Sequence, residues 1–326
     1  MQKTPIGIIG AGVMARRHLE VMRSIEWMMP VGITSRTKTK AQHLATEFKC
    51  AVFDDIEALI KYSHPEGLMV LVSEDQTVQV VESLMPYRLP LFIEKPAGLS
   101  PDENLRLVQL AKEYAVPTLV GFNRRFYSVF HKGIEVIRQH GPLMGITVEG
   151  HERMWLVRER RRFSEKVLNQ WIFANSVHTI DLLRFFGGEP TRIMSLAHRY
   201  FESRGDQFAA VIEFQEGSMG IYNAHWYSPA GWRVILYGNG VTVEFKPLEK
   251  GMWIDKHLNS HEIVPDDVDI QFKPGFFRQM ETFGALIKEG RLKNFALDLE
   301  GAHKTMLLAQ QLSSNVLDKS LEIKKV

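Results

Sequence analysis

The stretch Ile6-Gly7-Ile8-Ile9-Gly10-Ala11-Gly12-Val13-Met14-Ala15 decides the fold, because a short apolar run passes directly into glycines spaced G-x-G-x-x-A. In a strand-turn-helix unit that binds a dinucleotide, the first glycine permits the tight turn and the second lets backbone approach a pyrophosphate. The small third residue lets the helix pack close to the strand. Gly10, Gly12 and Ala15 occupy those places. Leu19, Met22 and Ile25 follow at helical spacing, so a helix N-terminus, with unpaired N–H groups and partial positive charge, stands where phosphates would lie. Small residues also occur in turns that bind nothing, and the surrounding pattern separates the two cases.

Apolar runs at 6–9, 30–34, 51–53, 68–72, 91–94 and 118–122 alternate with amphipathic helical stretches at 14–25, 37–48, 55–62, 76–86 and 100–115. This alternation predicts an α/β domain with a doubly wound parallel sheet, a Rossmann domain, over residues 1–122. Ser100, Pro101 and Glu103 mark the last helix with a capping box and a first-turn proline. The texture changes after 123. A helix at 127–139, a strand at 146–152, a charged irregular segment and a helix at 175–186 lead into strands at 191–200, 208–215, 218–227, 232–237 and 241–246. Glu216-Gly217 and Gly238-Asn239-Gly240 punctuate them as hairpin turns, helices at 275–289 and 298–317 follow, and a strand at 321–323 ends the pattern. Residues 123–326 therefore read as a second, α+β domain with a mainly antiparallel sheet.

Composition excludes several classes. Hydrophobic residues make up 45% and charged residues 24% of the chain, as in an ordinary globular protein, and a net charge of +2 is too small for a dedicated nucleic-acid binder. The single cysteine, Cys50, rules out an intrachain disulfide and fits a cytoplasmic location. The 12 histidines show no HExxH pattern, so no metal site is expected. No run approaches the roughly 18 apolar residues of a membrane span, and the glycines in the first apolar run argue against a signal peptide.

Three further places carry chemistry. The second strand ends in Ser35-Arg36-Thr37-Lys38, where a fold that prefers NAD ordinarily presents an acidic residue to the adenosine ribose. Arg36 can instead meet a 2′-phosphate, with Ser35 adding a hydroxyl, so NADP is expected and NAD remains possible; a solvated basic helix start is the plainer alternative. Glu94-Lys95-Pro96 closes the strand 91–94, and ligands of open α/β sheets collect beyond the carboxyl ends of the strands. A lysine there can orient a hydroxyl and stabilise a developing alkoxide, although most strand-end lysines are simply exposed. In Asn175-Ser176-Val177-His178-Thr179-Ile180-Asp181, Asn175 can cap a helix and the three-residue spacing puts His178 beside Asp181. Histidine suits proton exchange with a substrate hydroxyl, but spacing alone favours a histidine satisfied by a local hydrogen bond.

In this order, Gly10 to Ala15, Glu94-Lys95-Pro96, Val120-Gly121-Phe122-Asn123-Arg124-Arg125-Phe126 and His178-Thr179-Ile180-Asp181 resemble the Gfo/Idh/MocA oxidoreductases over nearly the whole chain. The resemblance implies a Rossmann domain followed by a substrate-binding and oligomerisation domain with a large open sheet, assembled as a homodimer or homotetramer. It implies reversible hydride transfer between a nicotinamide and a secondary or anomeric alcohol of a sugar, cyclitol or sugar nucleotide. Cofactor contacts are implied at Gly10, Ala11, Gly12, Val13, Met14, Ser35, Arg36, Glu94, Lys95 and Asn123. Lys95 and His178 are implied as catalytic, His178 as the general acid/base and Lys95 touching nicotinamide region and reacting hydroxyl alike. Arg124 and Asn175 are implied on the substrate side, and Asp181 as substrate-side or helix-orienting.

One position departs from the family pattern. Many members carry an aspartate four residues before the histidine, where this chain has Ala174, and Asn175 cannot replace it as a base. A transient-redox enzyme that recycles a bound nicotinamide during epimerisation, elimination or glycoside cleavage, and a non-catalytic nicotinamide-binding regulator, therefore stand as alternatives. Arg158-Glu159-Arg160-Arg161-Arg162 reads as a solvated face or as a phosphate-capturing fork, and Trp155, Trp171, Trp226 and Tyr227 as packing residues or sugar-stacking rings.

Overall fold

The computed structural model describes residues 3–317. The first elements are β1 (Thr4–Ile9), α1 (Val13–Ser24), β2 (Met28–Thr34), α2 (Lys38–Phe48), β3 (Ala51–Phe53), α3 (Ile56–Ser63), β4 (Gly67–Val70), α4 (Thr77–Leu84), β5 (Leu91–Ile93), α5 (Pro101–Tyr114) and β6 (Thr118–Val120). Next come α6 (Ser128–His140), β7 (Gly145–Gly150), α7 (Met154–Glu159), α8 (Glu165–Leu168), α9 (Val177–Gly187), β8 (Pro190–His198), β9 (Gln207–Phe214), β10 (Met219–His225), β11 (Trp232–Gly238) and β12 (Val241–Phe245). The remainder is β13 (Gly251–Asp255), β14 (Ser260–Ile263), α10 (Asp267–Gln271), α11 (Phe276–Glu289), α12 (Leu299–Ser314) and β15 (Val316–Leu317). Among the described residues no helix is long and apolar enough to cross a membrane.

The polypeptide forms two compact units and does not divide between them at one point. The first runs to Tyr127 and takes back Asp266–Lys304; the second comprises Ser128–Pro265 and the chain from Thr305. These units differ from a single division into 1–122 and 123–326, and the reason lies in the apolar stripe of α11. Phe276, Met280, Phe283 and Leu286 are buried in one cluster with Leu19 and Met22 of α1 and Met69 of β4. Gly284 lies so close to Trp27 that a Cβ would overlap the indole. An amphipathic stripe announces that a helix must cover a sheet, not which sheet.

In the first unit six parallel strands lie in the order β3-β2-β1-β4-β5-β6. The order in which successive strands are added reverses between β1 and β4, while the strands stay parallel, and this places a ligand crevice outside their carboxyl ends. At α5, the Ser100 hydroxyl accepts the Glu103 N–H at 3.1 Å, and Glu103 Oε2 accepts the Leu99 N–H at 2.7 Å. The capping box therefore reaches one residue further back than its usual form.

The second unit is built on nine strands in the order β14-β13-β12-β11-β7-β10-β9-β8-β15. Pairing is antiparallel except for β7 with β10 and β8 with β15. One face buries Ile146, Val148, Ile212, Tyr222, Val243 and Phe245, while a register row on the other exposes Met194, Val211 and Ile221. Strands β13 and β14 were not expected, because Met252-Trp253-Ile254 is a short apolar run without polar alternation and the 259–262 stretch is mostly polar. The helix expected at 298–317 stops at Ser314, and Val316–Leu317 pairs with β8. The strand expected at 321–323 lies outside the described residues.

Gly275 precedes α11 with φ +81°, and a Cβ there would overlap the Asn123 carbonyl oxygen. Gly275→Ala should lower unfolding stability in urea by at least about 1–2 kcal/mol, the cost of a left-handed alanine. An unchanged midpoint would show that the segment does not hold this backbone.

Candidate functional site

The glycine turn is shaped from both sides. Gly10 has φ +108°, and a Cβ on it would overlap the Leu71 carbonyl oxygen that follows β4. Only glycine permits that approach. Gly12 is the residue before α1, its side has open space where a Cβ would go, and no side chain caps the helix. Val13 is exposed and Ala15 fully buried against the sheet. An uncapped helix N-terminus behind an empty glycine face fits a pyrophosphate. At the end of β2, Ser35 is half-buried and Arg36 exposed. Lys38 is ion-paired with Asp54 and Arg16 with Glu47, leaving Arg36 without a hydrogen bond or ion pair among the described residues.

Glu94 and Lys95 stand beyond β5, and the Lys95–Pro96 peptide is cis. Glu94 turns back to accept the Lys95 N–H at 2.8 Å, and its other oxygen lies 3.6 Å from His18 Nε2. That distance exceeds a hydrogen bond, and both ring nitrogens of the wholly buried His18 lack one. His18 stacks on Phe276 at 4.4 Å. Burial pushes the His18 imidazole down against the pull of Glu94, so the ring is neutral near pH 7. Burial would push Glu94 up, but His18, Lys95 and Lys273 outweigh it and hold the carboxyl below its ordinary value. Desolvation lowers the Lys95 ammonium to about 8; Glu94 and Glu74 oppose the shift, Arg124 and Lys273 add to it. A lysine so tuned is charged at neutral pH and loses its proton readily.

Asn123 is buried and donates from Nδ2 to the Pro274 carbonyl at 3.1 Å, while its Oδ1 receives Arg124 Nη1 at 3.4 Å. Its amide therefore fastens the returning segment before α11. That segment carries Lys273, which the sequence reading missed. Lys273 Nζ lies 3.6 Å from Met14 Sδ and 4.6 Å above the Phe276 ring. Its lone warning sign was the basic residue before Pro274-Gly275, 259 residues from Met14.

The second unit holds the other group. A π-turn at Ile172–Ser176 precedes α9, a distortion common at functional sites. Asn175 donates from Nδ2 to Glu152 Oε1 at 2.9 Å, and Ser176 Oγ approaches the same oxygen at 3.4 Å. Glu152, buried just past β7, brings a carboxylate to the turn where Ala174 lacks one. The adjacent polar pair His151-Glu152 at the end of an alternating strand was the available signal. His178 is buried one turn on, its ring centroid 6.1 Å from that of Trp232.

Asp181 is 1% exposed and accepts the Thr305 hydroxyl at 2.8 Å; Arg184 donates to that same hydroxyl at 2.6 Å and pairs with Glu189. Of the two roles expected for Asp181, helix orientation is the one that these contacts within its own unit fit. Arg158 is held by both Glu202 oxygens, at 2.9 and 2.5 Å, and Tyr227 donates to Glu202 at 2.7 Å. That arginine is therefore not an open phosphate fork, whereas Arg160, Arg161 and Arg162 are exposed. Trp171 and Trp226 are buried packing residues; Trp155 is exposed.

Residues 4–122 match the oxidoreductase family with an NAD-binding Rossmann fold, and residues 142–244 match the GFO/IDH/MocA C-terminal domain. The uncharacterized oxidoreductase YrbE of Bacillus subtilis is 25% identical over 83% of this chain and 80% of its own length. UDP-N-acetylglucosamine 3-dehydrogenase of Acidithiobacillus ferrooxidans is 23% identical over 65% of this chain and 64% of its length. A solved structure of that dehydrogenase has a TM-score of 0.76 at 18% identity, covering 97% of this chain and 98% of the other. An oxidoreductase structure from Thermotoga maritima has a TM-score of 0.81 at 17% identity, covering 96% and 98%. At these identities the structural likeness concerns the fold alone.

Proposed function

Because the chain belongs to the Gfo/Idh/MocA oxidoreductases, with their NAD-binding Rossmann fold, we propose that it is an NADP-dependent dehydrogenase acting on a secondary or anomeric alcohol of a sugar, cyclitol or sugar nucleotide. The observation that carries this reading is Lys95, with its lowered proton affinity, in the same unit as the uncapped glycine turn. Gly10, Ala11, Gly12, Val13 and Met14 would hold the pyrophosphate, and Ser35 and Arg36 the 2′-phosphate. Glu94, Lys95 and Asn123 would border the nicotinamide. A nicotinamide held there would supply the hydride acceptor, or the donor in reverse. His178 would take the substrate hydroxyl proton, and Lys95, as the ammonium, would stabilise negative charge on that oxygen. Arg124 and Asn175 bind substrate hydroxyls.

The missing aspartate at Ala174 was the ground for a non-catalytic regulator, and Glu152 beside Asn175 weakens it. UDP-N-acetylglucosamine 3-dehydrogenase among the relatives supports a sugar nucleotide as the first substrate class to assay. The half-buried Cys50 thiol, pushed up to about 11 by burial, is unreactive and compatible with a cytoplasmic protein.

Lys95→Met should reduce turnover about 100- to 1,000-fold, the usual cost of one oxyanion donor, with cofactor affinity retained. In the unaltered protein kcat/KM should fall as pH rises through about 8, where Lys95 loses its proton. Full activity in the variant would remove Lys95 from the reaction. Arg36→Ala should weaken NADP binding roughly 10- to 100-fold, one charge-assisted contact, and leave NAD binding unchanged. Calorimetric titration showing equal affinities for NADP before and after substitution would refute the 2′-phosphate assignment.

The exposed row Met194, Val211 and Ile221 is assigned to assembly with a second copy of the chain, as dimer or tetramer. Light scattering should find an oligomer, and a monomer after Val211→Glu with Ile221→Glu. A monomeric parent protein would rule this out.

A further inference from the structure

We propose that Lys273 is a cationic ligand for the diphosphate of the dinucleotide, beside the α1 N-terminus, delivered to the glycine turn by the segment that returns to the first unit. The proposal rests on the reading that a dinucleotide occupies that turn. Four constraints fix the delivery. Asp269 Oδ1 accepts the Gly275 N–H at 2.8 Å, Arg278 pairs with Asp266 and approaches Asp269 at 3.4 Å, and Asn123 holds the Pro274 carbonyl. Gly275 then turns through its left-handed conformation against Asn123. Lys273, two residues before that turn, is half-buried, with its ammonium over the Phe276 ring and against Met14.

Met14 lies in the first turn of α1, two residues beyond Gly12, so the ammonium stands at the positive end of the helix dipole. A helix N-terminus attracts anions and repels a cation, and the Glu94 carboxylate within electrostatic reach offsets part of that repulsion. A diphosphate reverses the sign, because each of the two positive features then faces negative oxygen. Phe276 holds the ammonium in place without neutralising it. The influence of Lys273 on His18, Glu94 and Lys95 places it within electrostatic reach of all three.

Binding of NADPH, NADH and ADP-ribose, followed by calorimetry at low and high salt, tests the proposal in the unaltered chain and in Lys273→Gln and Lys273→Arg. ADP-ribose carries the diphosphate without nicotinamide. Lys273→Gln should weaken every ligand that the unaltered chain binds by roughly tenfold or more, ADP-ribose included, with a shallower salt dependence. Lys273→Arg should restore most of the affinity, and both variants should unfold at the parent midpoint. Unchanged affinity in Lys273→Gln, or a loss for the nicotinamide ligands that spares ADP-ribose, would overturn the diphosphate assignment while leaving the dehydrogenase reading intact. Failure of the unaltered chain to bind any of the three would overturn both.

Discussion

Two ammonium groups can stand near the carboxyl ends of the parallel strands because the largely sheltered Glu94 carboxylate already lies within electrostatic reach of them. An uncompensated buried charge costs several kcal/mol, and a carboxylate placed without partners would fare no better than the lysines. Glu94 is secured from three directions. It accepts the N–H of Lys95, it faces His18, and Gly121 leaves it room, since a Cβ there would come within 2.9 Å of Glu94 Oε2. The Glu-Lys-Pro triplet is therefore an electrostatic unit, in which the glutamate makes the lysine tolerable and burial keeps it close to losing its proton.

Much of the first unit was legible because its signals are local. Gly10 and Gly12 declare their turn within three residues, Ser100 and Glu103 their cap within four, and the strand-helix alternation repeats over short intervals. The illegible parts depend on distant partners. Nothing near residue 276 states that α11 covers α1 instead of the second sheet; that follows from the fit of Trp27 against Gly284 and of Phe276 against His18. Lys273 was hidden for the same reason, because its significance lies in Met14 and not in its own neighbours. Strands β13 and β14 escaped because pairing, of β13 with β12 and of β14 with β13, and not apolar alternation, makes them strands.

The second group shows how a local pattern can be correct about residues and incomplete about chemistry. His178 and Asp181 were read as neighbours on one helix, yet Asp181 accepts the Thr305 hydroxyl, which in turn accepts from Arg184, in a buried polar network. A carboxylate satisfied by neighbouring donors fixes the helix that carries the histidine. The family pattern directed attention to position 174, where alanine leaves a gap. The carboxylate near that turn comes instead from Glu152, on the segment after β7, and reaches it through Asn175. Moving a negative charge from the helix to the strand end changes what the turn can do. Glu152 can align the Asn175 amide without standing four residues before His178, so the carboxylate and the histidine are supplied by different elements.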